Sequence, residues 1–425
     1  MRTGKQRRVS SKARRLEGLP PHLKVNLANE AYPPRIHKLP EQESLRPRPK
    51  ILLGVTVAAS LMLMRGFPEY LESTGWEVHL VCSPGTRLEA LTTPGIHTHA
   101  LSMSRRPDPL RDIASLVRWL VLLRRIRPDV TAIGTPKASL LGNLAAAAMR
   151  VPSRVYILRG LRSEMTRGIT QKLLNVAERV ACACVSDVVC VSPSLREVAR
   201  KAKLTSDSKL RVLGPGSSNG VDSHPDLLTP AQRRAVRDEY FPQHRWPIIG
   251  YIGRVSNDKG LETLAESLSI LTSQGRVGDC VIIGGDDAGD SGEIRKRLNT
   301  SGWRLVHLGH VEEVGRVAQV MDVLCLPSLR EGFPNVVLEA AALGIPCIGS
   351  DATGVVDSII DGQTGIIFRR GDAASLAAKI RTLTDNPDLV TEFGVCAQQH
   401  VRETFDHEVI WPVHERFYRR LLSNS

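Results

Sequence analysis

The chain has 425 residues, of which 42% are hydrophobic, 24% are charged and only 4% are aromatic. This length predicts about two to three domains. The composition excludes collagen-like, wholly disordered and small disulfide-stapled proteins. With so few aromatic residues the core must be built from Leu, Val, Ile and Ala, which suits helices packed on parallel strands.

The net charge of +13 is concentrated at the start of the chain. Residues 1–50 hold 13 Lys or Arg and four Glu, a net charge of +9, and leave +4 for the other 375 residues. This segment is proline-rich without a sustained apolar period, so it is predicted to form a disordered basic arm. The arm is a solvated tail, a contact for an anionic membrane surface, or a nucleic-acid-binding segment. The last is disfavoured because no aromatic residue accompanies the basic clusters.

No stretch reaches the roughly 18 apolar residues needed to span a bilayer. The longest uncharged run, residues 51–64, is interpreted as a buried first strand and the loop after it, with an interfacial segment as the alternative. The eight cysteines form no CxxC pair, and buried, reduced thiols are predicted. These features predict a cytoplasmic chain, with a peripheral position at the inner face of the cell membrane as a further expectation.

From residue 51 onward, short β-rich runs alternate with helical stretches. In the first half, strands are predicted at 51–57, 76–82, 96–103, 129–134, 154–159 and 187–192. Helices are predicted up to Gly75 and at 108–128, 137–150 and 168–184. The helix at 108–128 has apolar residues at helical spacing, with Asp108 as its cap and Pro128 as its stop.

Residues 214–246 interrupt this alternation with prolines, glycines and polar residues. It then restarts with strands predicted at 247–254, 279–285, 303–309, 322–327, 345–350 and 365–368. The sequence therefore predicts an α/β fold of two doubly wound Rossmann-like domains facing a central cleft. The predicted boundaries are a basic arm at 1–50, an N-terminal Rossmann-like domain at 51–214, a linker at 215–246, a C-terminal Rossmann-like domain at 247–405, and a C-terminal helix at 406–425 that packs back towards the N-terminal domain.

The loop GRVSNDKG, residues 253–260, leads from a predicted strand into a predicted helix. A helix N-terminus offers free N–H groups and the positive end of its dipole to an anion. Arg254 adds a bidentate donor and Lys259 a compact cation, so the loop fits a diphosphate. Taken alone, the pattern fits a surface loop with two solvated cations better. Gly284 and Gly285 end the next strand and let a ligand approach the backbone.

The segment PSLREGFPNVVLEAAALGIP, residues 327–346, is the most specific signal. Glu331 lies in a glycine-flanked loop, and Glu339 follows eight residues later in the next helix. Carboxylates accept hydrogen bonds from vicinal hydroxyls, so the two can hold two polyol parts of one ligand, such as a sugar and a ribose. Pro334 suits the start of that helix, whose first amides, at residues 333–336, are available to an anion.

These motifs, with IIGGDD and the later DGQTGIIF, resemble the C-terminal half of the retaining, nucleotide-sugar-dependent glycosyltransferases of family 4, which have the GT-B fold. The resemblance covers about residues 51–422 and is most specific in the C-terminal half. It implies that the N-terminal domain at 51–214 binds the acceptor and that the C-terminal domain at 247–405 binds the nucleotide sugar. The N-terminal half is similar to the branch that builds bacterial capsular polysaccharide, exopolysaccharide and lipid-linked oligosaccharide, through TPKASLLGNLAAAAMRVPSRVYILRGLR, VVCVSPSLRE and GPGSSNGVD.

The resemblance implies transfer of a hexose or N-acetylhexosamine, with retention, from a nucleotide-diphosphate donor, expected to be UDP-linked, to a hydroxyl of a lipid-linked or glycan acceptor. It implies no metal and no cofactor beyond the nucleotide sugar as co-substrate. Arg254 and Lys259 would hold the diphosphate, Glu331 the donor sugar and Glu339 the ribose, with catalysis resting on the first three. The implied donor-binding set is Gly253, Arg254, Lys259, Gly284, Gly285, Glu331, Gly332, Phe333, Asn335, Val336 and Glu339.

Two positions depart from the family pattern. The loop after the first strand reads AASLMLMRG, so Gly66 arrives late where many members have paired glycines. Arg159-Gly160 stands where many members have His-Gly. Arg159 is therefore predicted either to bind a phosphate of donor or acceptor or to be an ion-paired surface residue. Three histidines without a partner at a recognisable spacing are predicted to be structural or exposed: His97, His99 and His224.

Two rival functions stay open: a nucleotide-sugar epimerase or hydrolase on the same fold, and a non-catalytic assembly scaffold that binds a nucleotide sugar. The complete set of Arg254, Lys259, Glu331 and Glu339 argues against the scaffold, which need not keep all four. The expected partners are the nucleotide sugar, the acceptor and an anionic membrane surface, and no nucleic acid. Arginines of the N-terminal helices either solvate them or strengthen membrane contact: Arg105, Arg106, Arg111, Arg118, Arg124, Arg125 and Arg127.

Overall fold

The computed structural model describes residues 48–104, 108–243, 246–286 and 291–423. The predicted basic arm lies almost entirely outside the described residues, as do Arg105 and Arg106. The described part of the chain contains two parallel sheets, one in each half of the sequence.

The first half forms a seven-stranded sheet in the order β3-β2-β1-β4-β5-β6-β7. Its strands are β1 Lys50–Gly54, β2 Glu77–Cys82, β3 Ile96–Ala100, β4 Val130–Gly134, β5 Ser153–Leu158, β6 Asp187–Cys190 and β7 Leu210–Arg211. Leu53 of β1 lies opposite Leu80 of β2 and Ala132 of β4. The strand order reverses between β1 and β4, and ligands of doubly wound sheets bind beside such a reversal, at the carboxyl ends of the strands.

The second half forms a six-stranded sheet in the order β10-β9-β8-β11-β12-β13. Its strands are β8 Ile248–Ile252, β9 Asp279–Ile283, β10 Arg304–Gly309, β11 Val323–Leu326, β12 Cys347–Ser350 and β13 Gly365–Phe368. Gly250 of β8 lies opposite Val281 of β9 and Leu324 of β11. The reversal in this sheet falls between β8 and β11.

Helices connect the strands of both sheets. Those of the first half are α1 Phe67–Ser73, α2 Thr86–Glu89, α3 Pro109–Ile126, α4 Pro136–Ala148, α5 Gly168–Ala183, α6 Pro193–Lys201 and α7 Pro230–Tyr240. Those of the second half are α8 Leu261–Ser273, α9 Ser291–Asn299, α10 Val314–Ala318, α11 Asn335–Ala342, α12 Ala373–Thr384, α13 Pro387–Thr404 and α14 His407–Ser423. Short 3-10 helices span Ala58–Met64, Arg162–Met165 and Asn257–Lys259.

Local sequence explains these elements. The run DCVII of β9 is buried at all five positions, as expected for a parallel strand covered on both faces. Alternate residues of β1 belong to different apolar clusters, with Ile51 and Leu53 in one and Leu52 in another. Helix α3 begins where Asp108 Oδ1 accepts a hydrogen bond from the Arg111 amide at 3.2 Å. The predicted α/β fold class with two doubly wound Rossmann-like sheets is confirmed.

The last helix, α14, packs against the N-terminal half. Trp411 Nε1 donates to the Asn219 carbonyl oxygen at 2.9 Å, and its ring lies 5.4 Å from that of Tyr70. The two segments that connect the halves are joined at Val221, whose amide donates to the Phe405 carbonyl at 3.0 Å. The His407 amide in turn donates to the Val221 carbonyl at 3.1 Å. The chain thus crosses between the halves at one hydrogen-bonded place.

Two of the three histidines that were predicted to be structural or exposed, His97 and His99, contact His79 on the neighbouring strand. His99 Nε2 lies 3.0 Å from His79 Nδ1, and the rings of His97 and His79 stack 5.0 Å apart. His79 Nε2 lies 3.0 Å from Glu77 Oε1. These residues alternate on adjacent strands, and their pairing depends on strand register rather than on spacing along the chain. His224 is exposed.

Among the described helices, none combines the length and the apolar character needed to cross a bilayer.

We expect the free energy of unfolding to fall as the pH drops from about 6.5 to about 4. Burial, with the charge of Arg159 adding to it, lowers the pKa of His414 from 6.5 to about 4. Between these two pH values the imidazole of His414 is protonated in the unfolded chain but stays neutral in the folded chain. The stabilisation is therefore fully present above about pH 6.5 and is lost progressively as the pH falls towards about 4. Burial also lowers the pKa of His79 to about 4 and adds in the same direction.

Urea unfolding at a series of pH values measures this loss. The variant His414→Phe keeps an aromatic ring against Phe67. It should lose less free energy of unfolding on acidification than wild type, by about 1.4 kcal/mol for each unit by which the pKa of His414 is lowered. The exposed His310 supplies the control, His310→Gln, which should retain the full decline. An unchanged acid-side slope in His414→Phe would contradict the prediction.

Candidate active site

The predicted donor-binding residues meet at the reversal of the second sheet. The loop after β8 carries Arg254 and Lys259, and the loop after β11 carries Glu331. Because β8 and β11 are adjacent and parallel, both loops emerge at the same edge of the sheet. Residues 72 positions apart in the chain are thereby brought together.

Lys259 and Glu331 form a sheltered ion pair. Lys259 Nζ donates to Glu331 Oε1 at 2.6 Å, and the side chain of each is only 16% exposed. Ser328 Oγ donates to the same carboxylate oxygen at 2.7 Å. An ammonium group has three donors, and a carboxylate has a second oxygen, so both groups keep capacity to bind a ligand. The pair fixes the position of both side chains relative to one another.

A second set of contacts ties the two loops together through Asp258. Its carbonyl oxygen accepts from the Leu329 amide at 2.9 Å, and its carboxylate accepts from Ser256 Oγ at 2.7 Å and lies 3.5 Å from Arg330. Burial by itself would raise the pKa of Asp258. The Ser256 hydrogen bond and the charges of Lys259, Arg330 and Arg254 outweigh burial and lower it. Asp258 thus stays ionised and offsets part of the positive charge of these three cations.

The ends of β8 and β9 approach each other too closely for side chains. A Cβ on Gly284, which has a φ of 144°, would lie 1.9 Å from the Gly253 carbonyl oxygen. Beyond this contact, a Cβ on Gly285 would meet no atom within 4 Å. Arg254 is exposed beside this open space, and its carbonyl oxygen accepts from the buried Tyr251 hydroxyl at 2.7 Å. The backbone here is accessible to a ligand.

Helix α11 begins at Asn335, with Pro334 as its N-cap residue. Phe333 is buried, and its ring packs 5.3 Å from that of Phe405. Asn335 and Val336 remain partly exposed at the helix start. Asn335 Oδ1 is buried without a hydrogen-bond donor among the described residues. A buried acceptor without a donor is costly, and a ligand hydroxyl could satisfy it.

Glu339 lies one helical turn further along α11 and is open to solvent. The protein around it nevertheless removes enough water to raise the pKa of its carboxyl, an effect that the charge of Arg65 opposes. Arg65 follows the 3-10 helix after β1, at the reversal of the first sheet. Glu339 therefore lies in the cleft between the two halves, within electrostatic reach of the N-terminal one.

Arg159 lies at the end of β5, where its backbone touches the C-terminal half. A Cβ on Gly332 would lie 2.3 Å from the Arg159 carbonyl oxygen. Its guanidinium Nε and Nη1 are buried and have no hydrogen-bond partner among the described residues. Burial lowers the pKa of Arg159 to about 10, partly offset by Tyr418 and Tyr156. An ion-paired surface position does not describe this side chain. Phosphate binding by Arg159 stays a prediction.

Further hydrogen bonds cross the cleft. Thr353 Oγ1 donates to Glu164 Oε1 at 2.6 Å. The Gly354 amide donates to Ser194 Oγ at 2.7 Å, and that hydroxyl donates to the Asp357 carboxylate. These contacts connect the loop after β12 to the N-terminal half.

Sequence reasoning missed several residues of this site. Ser328 and Asp258 lie inside the two motifs but were not singled out. Ser328 donates to Glu331 three residues along the chain, and Asp258, next to Lys259, accepts from the Leu329 amide of the other loop. At the reversal of the first sheet, Thr56 Oγ1 and Thr135 Oγ1 lie 2.8 Å apart. Each follows a strand, which is the signal that could have identified them. Arg65 lies in the loop that departs from the family pattern.

Both halves of the chain match models of known families. Residues 63–216 match a glycosyl transferase 4-like domain, and residues 246–386 match the glycosyl transferases group 1 model. The second match contains every residue of the implied donor-binding set.

Similar proteins come from several bacteria. The chain is 32% identical over 382 residues to the capsular polysaccharide biosynthesis glycosyltransferase CapM of Staphylococcus aureus, covering 88% of this chain and 98% of CapM. It is 23% identical over 325 residues to the UDP-Gal:alpha-D-GlcNAc-diphosphoundecaprenol alpha-1,3-galactosyltransferase of Escherichia coli, covering 75% and 82%. Among solved structures, sucrose-phosphate synthase from Thermosynechococcus elongatus superposes with a TM-score of 0.74 at 19% identity, covering 89% and 100%. This last likeness supports the GT-B fold.

Gly332→Ala should disturb the contact between the halves. The added methyl group would lie 2.3 Å from the Arg159 carbonyl oxygen, so the backbones must separate. We expect a loss of about 1–3 kcal/mol in the free energy of unfolding and a larger radius of gyration. Calorimetry and small-angle X-ray scattering measure the two effects.

Gly315→Ala is the matched control, because a Cβ on this α10 residue would meet nothing within 4 Å. It should leave both quantities close to wild type. Equal behaviour of the two variants would show that the Gly332 contact does not hold the halves together.

Proposed function

We propose that this chain, which belongs to the group 1 glycosyltransferases, transfers a sugar from a nucleoside-diphosphate donor to a lipid-linked or glycan acceptor during assembly of a bacterial surface polysaccharide. The observation that carries the proposal is the Lys259–Glu331 pair at the reversal of the second sheet, beside the starts of α8 and α11. The donor is expected to be UDP-linked, and the transfer to retain the anomeric configuration.

The donor diphosphate is assigned to the loop after β8. Arg254 supplies a bidentate guanidinium, Lys259 has donors beyond the one that it gives Glu331, and the start of α8 adds the positive end of a helix dipole. The open backbone at Gly285 lets phosphate oxygens approach closely. These groups are aligned before the ligand arrives, so they neutralise its charge with little reorganisation.

The sugar and ribose are assigned to α11 and the loop before it. The second oxygen of Glu331 and the donor-deficient Asn335 Oδ1 can both accept hydrogen bonds from sugar hydroxyls. Glu339, about one helical turn beyond Asn335, is assigned to the ribose hydroxyls.

The proposed reaction uses no nucleophile from the protein. The bond from the anomeric carbon to the donor phosphate oxygen breaks, a bond to the acceptor oxygen forms on the same face, and the acceptor proton goes to the leaving phosphate. Glu331 already accepts hydrogen bonds from Lys259 and Ser328, which makes it a positioning carboxylate rather than a nucleophile. Arg254 and Lys259 balance the charge of the leaving diphosphate, so no metal is required.

The acceptor is assigned to the N-terminal half. CapM acts in capsular polysaccharide biosynthesis, and the name of the Escherichia coli relative gives a UDP-galactose donor and a diphosphoundecaprenol-linked acceptor. By analogy we propose a hexose or N-acetylhexosamine donor and a polyprenyl-diphosphate-linked acceptor. Such an acceptor lies in a membrane, so the enzyme would work in the cytoplasm, peripherally at the inner membrane face.

Calorimetric titration without metal should detect tight binding of one nucleotide among UDP, GDP, ADP and TDP, with UDP expected. Glu339→Ala should weaken it at least about tenfold, which is 1.4 kcal/mol, because the ribose hydroxyls lose their acceptor. The pKa of Glu339 is raised, so acidification should weaken binding at a higher pH than an ordinary glutamate would allow. Glu392→Ala, at an exposed glutamate on α13, is the control. Failure to bind any of the four nucleotides would refute the donor site.

A transfer assay with a polyprenyl-diphosphate-linked acceptor tests the chemistry. Lys259→Met should lower kcat/KM by about a hundredfold or more, because a preorganised charge on the leaving diphosphate is lost. Lys296→Met, at an exposed lysine on α9, should leave it unchanged. Wild-type activity should survive EDTA, and NMR should show a retained anomeric configuration.

Three outcomes would redirect the proposal. Loss of activity in EDTA, restored by a divalent cation, would overturn metal independence. Rapid donor turnover without acceptor would favour an epimerase or hydrolase. Nucleotide binding without any turnover would favour an assembly scaffold.

A further inference from the structure

Helix α3 exposes a continuous apolar stripe on its outer surface. Leu110, Ile113, Val117 and Val121 follow at intervals of three and four residues, which places them on one side of the helix. Leu110 is 82% exposed and Val121 is 63% exposed. The inner side of α3 is occupied by the buried Trp119 and its neighbours, so the helix is apolar on two opposite sides. Packing within the domain explains only the inner one.

Helix α5 repeats this arrangement. Ile169, Leu173, Val176 and Val180 also follow at intervals of three and four residues, and Ile169 is 77% exposed. Helix α4 packs between α3 and α5 and contributes the exposed Leu144. The crossovers from β3 through β6 advance in one direction across the sheet, so their helices lie on one face. The two stripes therefore belong to one surface, here called the outer face of α3 and α5.

This outer face is also basic. Its two described acidic side chains are engaged within the domain, Asp112 with Lys137 Nζ at 2.7 Å and Glu178 with the Tyr156 hydroxyl at 2.7 Å. The exposed cations on the two helices are Arg111, Arg118, Arg124, Arg125, Lys172 and Arg179. An apolar stripe bordered by cations matches an anionic bilayer, which accepts apolar side chains below its headgroups and attracts the charges.

The outer face reaches the edge of the cleft. Leu110 and Ile169 lie in the first turns of their helices, and those turns follow the carboxyl ends of strands, the edge at which Arg159 also lies. The 3-10 helix just before α5 contains Glu164, which accepts a hydrogen bond from Thr353 of the C-terminal half. A surface held against the bilayer by these helices would thus bring the cleft close to the headgroups.

We propose that the outer face of α3 and α5 docks on an anionic phospholipid bilayer, with its apolar stripes inserted at the headgroup boundary. This inference rests on the proposed function for its biological purpose, because a polyprenyl-linked acceptor would enter the cleft from that bilayer. A second copy of the chain fits the face less well. Self-association would place the arginines of two copies against one another, where like charges repel.

Flotation of the full chain with vesicles of phosphatidylcholine, with and without phosphatidylglycerol, tests the surface. The variant L110Q/I113Q/I169Q/L173Q changes only exposed positions to a good helix former, so the fold should persist. We expect it to bind phosphatidylglycerol vesicles about tenfold more weakly or worse, because apolar insertion is lost. Arg118→Gln with Arg124→Gln should weaken binding to the anionic vesicles.

Val121→Gln and Val395→Gln form a matched pair. Both valines are 63% exposed on helices, but Val395 lies on α13, away from the outer face. Only Val121→Gln should weaken vesicle binding. Equal vesicle binding by the quadruple variant and wild type would overturn the proposal, as would a wild type that stays off anionic vesicles. Sedimentation showing a dimer that the quadruple variant dissociates would assign the face to a second copy.

Sugar transfer to a water-soluble, short-chain acceptor separates this inference from the proposed function. The quadruple variant should keep that activity while losing transfer to an acceptor embedded in vesicles. A wild type that binds anionic vesicles but transfers sugar to neither acceptor would refute the proposed function and leave the docking surface standing.

Discussion

The geometry of the candidate site depends on one ion pair. Lys259 and Glu331 lie on loops that emerge from adjacent parallel strands, and their 2.6 Å contact fixes how far apart those loops can be. The backbone hydrogen bond from the Leu329 amide to the Asp258 carbonyl joins the same two loops and limits their separation in the same way. The cation that we propose for the donor phosphate thus lies beside the carboxylate that we propose for the sugar hydroxyls, and each offsets part of the desolvation cost of the other. The same two loops lead into helices α8 and α11, so the ion pair also sets the positions of the N-termini of these helices.

A second constraint acts between the halves of the chain. The backbone of Arg159 meets Gly332, Thr353 bonds to Glu164, and α14 returns to pack on the N-terminal half. The proposed donor-binding residues all lie in the C-terminal half, whereas Arg65 and the buried guanidinium of Arg159 belong to the N-terminal half. The cleft is consequently a joint product of two folded units, and neither sheet alone presents the full set of charges.

The alternation of short β-rich runs with helical stretches predicted most of the fold, because runs such as DCVII suit parallel strands that helices cover on both faces. It could not find β7, since the two residues Leu210 and Arg211 are too few to form a pattern. In the site, glycine-rich motifs identified Lys259 and Glu331 separately, yet their pairing spans 72 residues and depends on strand order. His79 and His99, 20 residues apart, became partners for the same reason. Local motifs thus identify the functional side chains, whereas the order and register of the strands determine which of these side chains are in contact.

The contact between Gly332 and Arg159 is made by main-chain atoms on both sides. It requires a glycine at position 332 but takes no account of the side chain at position 159. The side chain at position 159 can therefore be exchanged without loosening this contact between the halves. Substitutions there would change what the N-terminal half presents to the cleft and leave the main-chain contact intact. The carbonyl oxygen and the guanidinium of one residue thus serve separate purposes, and a protein engineer can alter the second without disturbing the first.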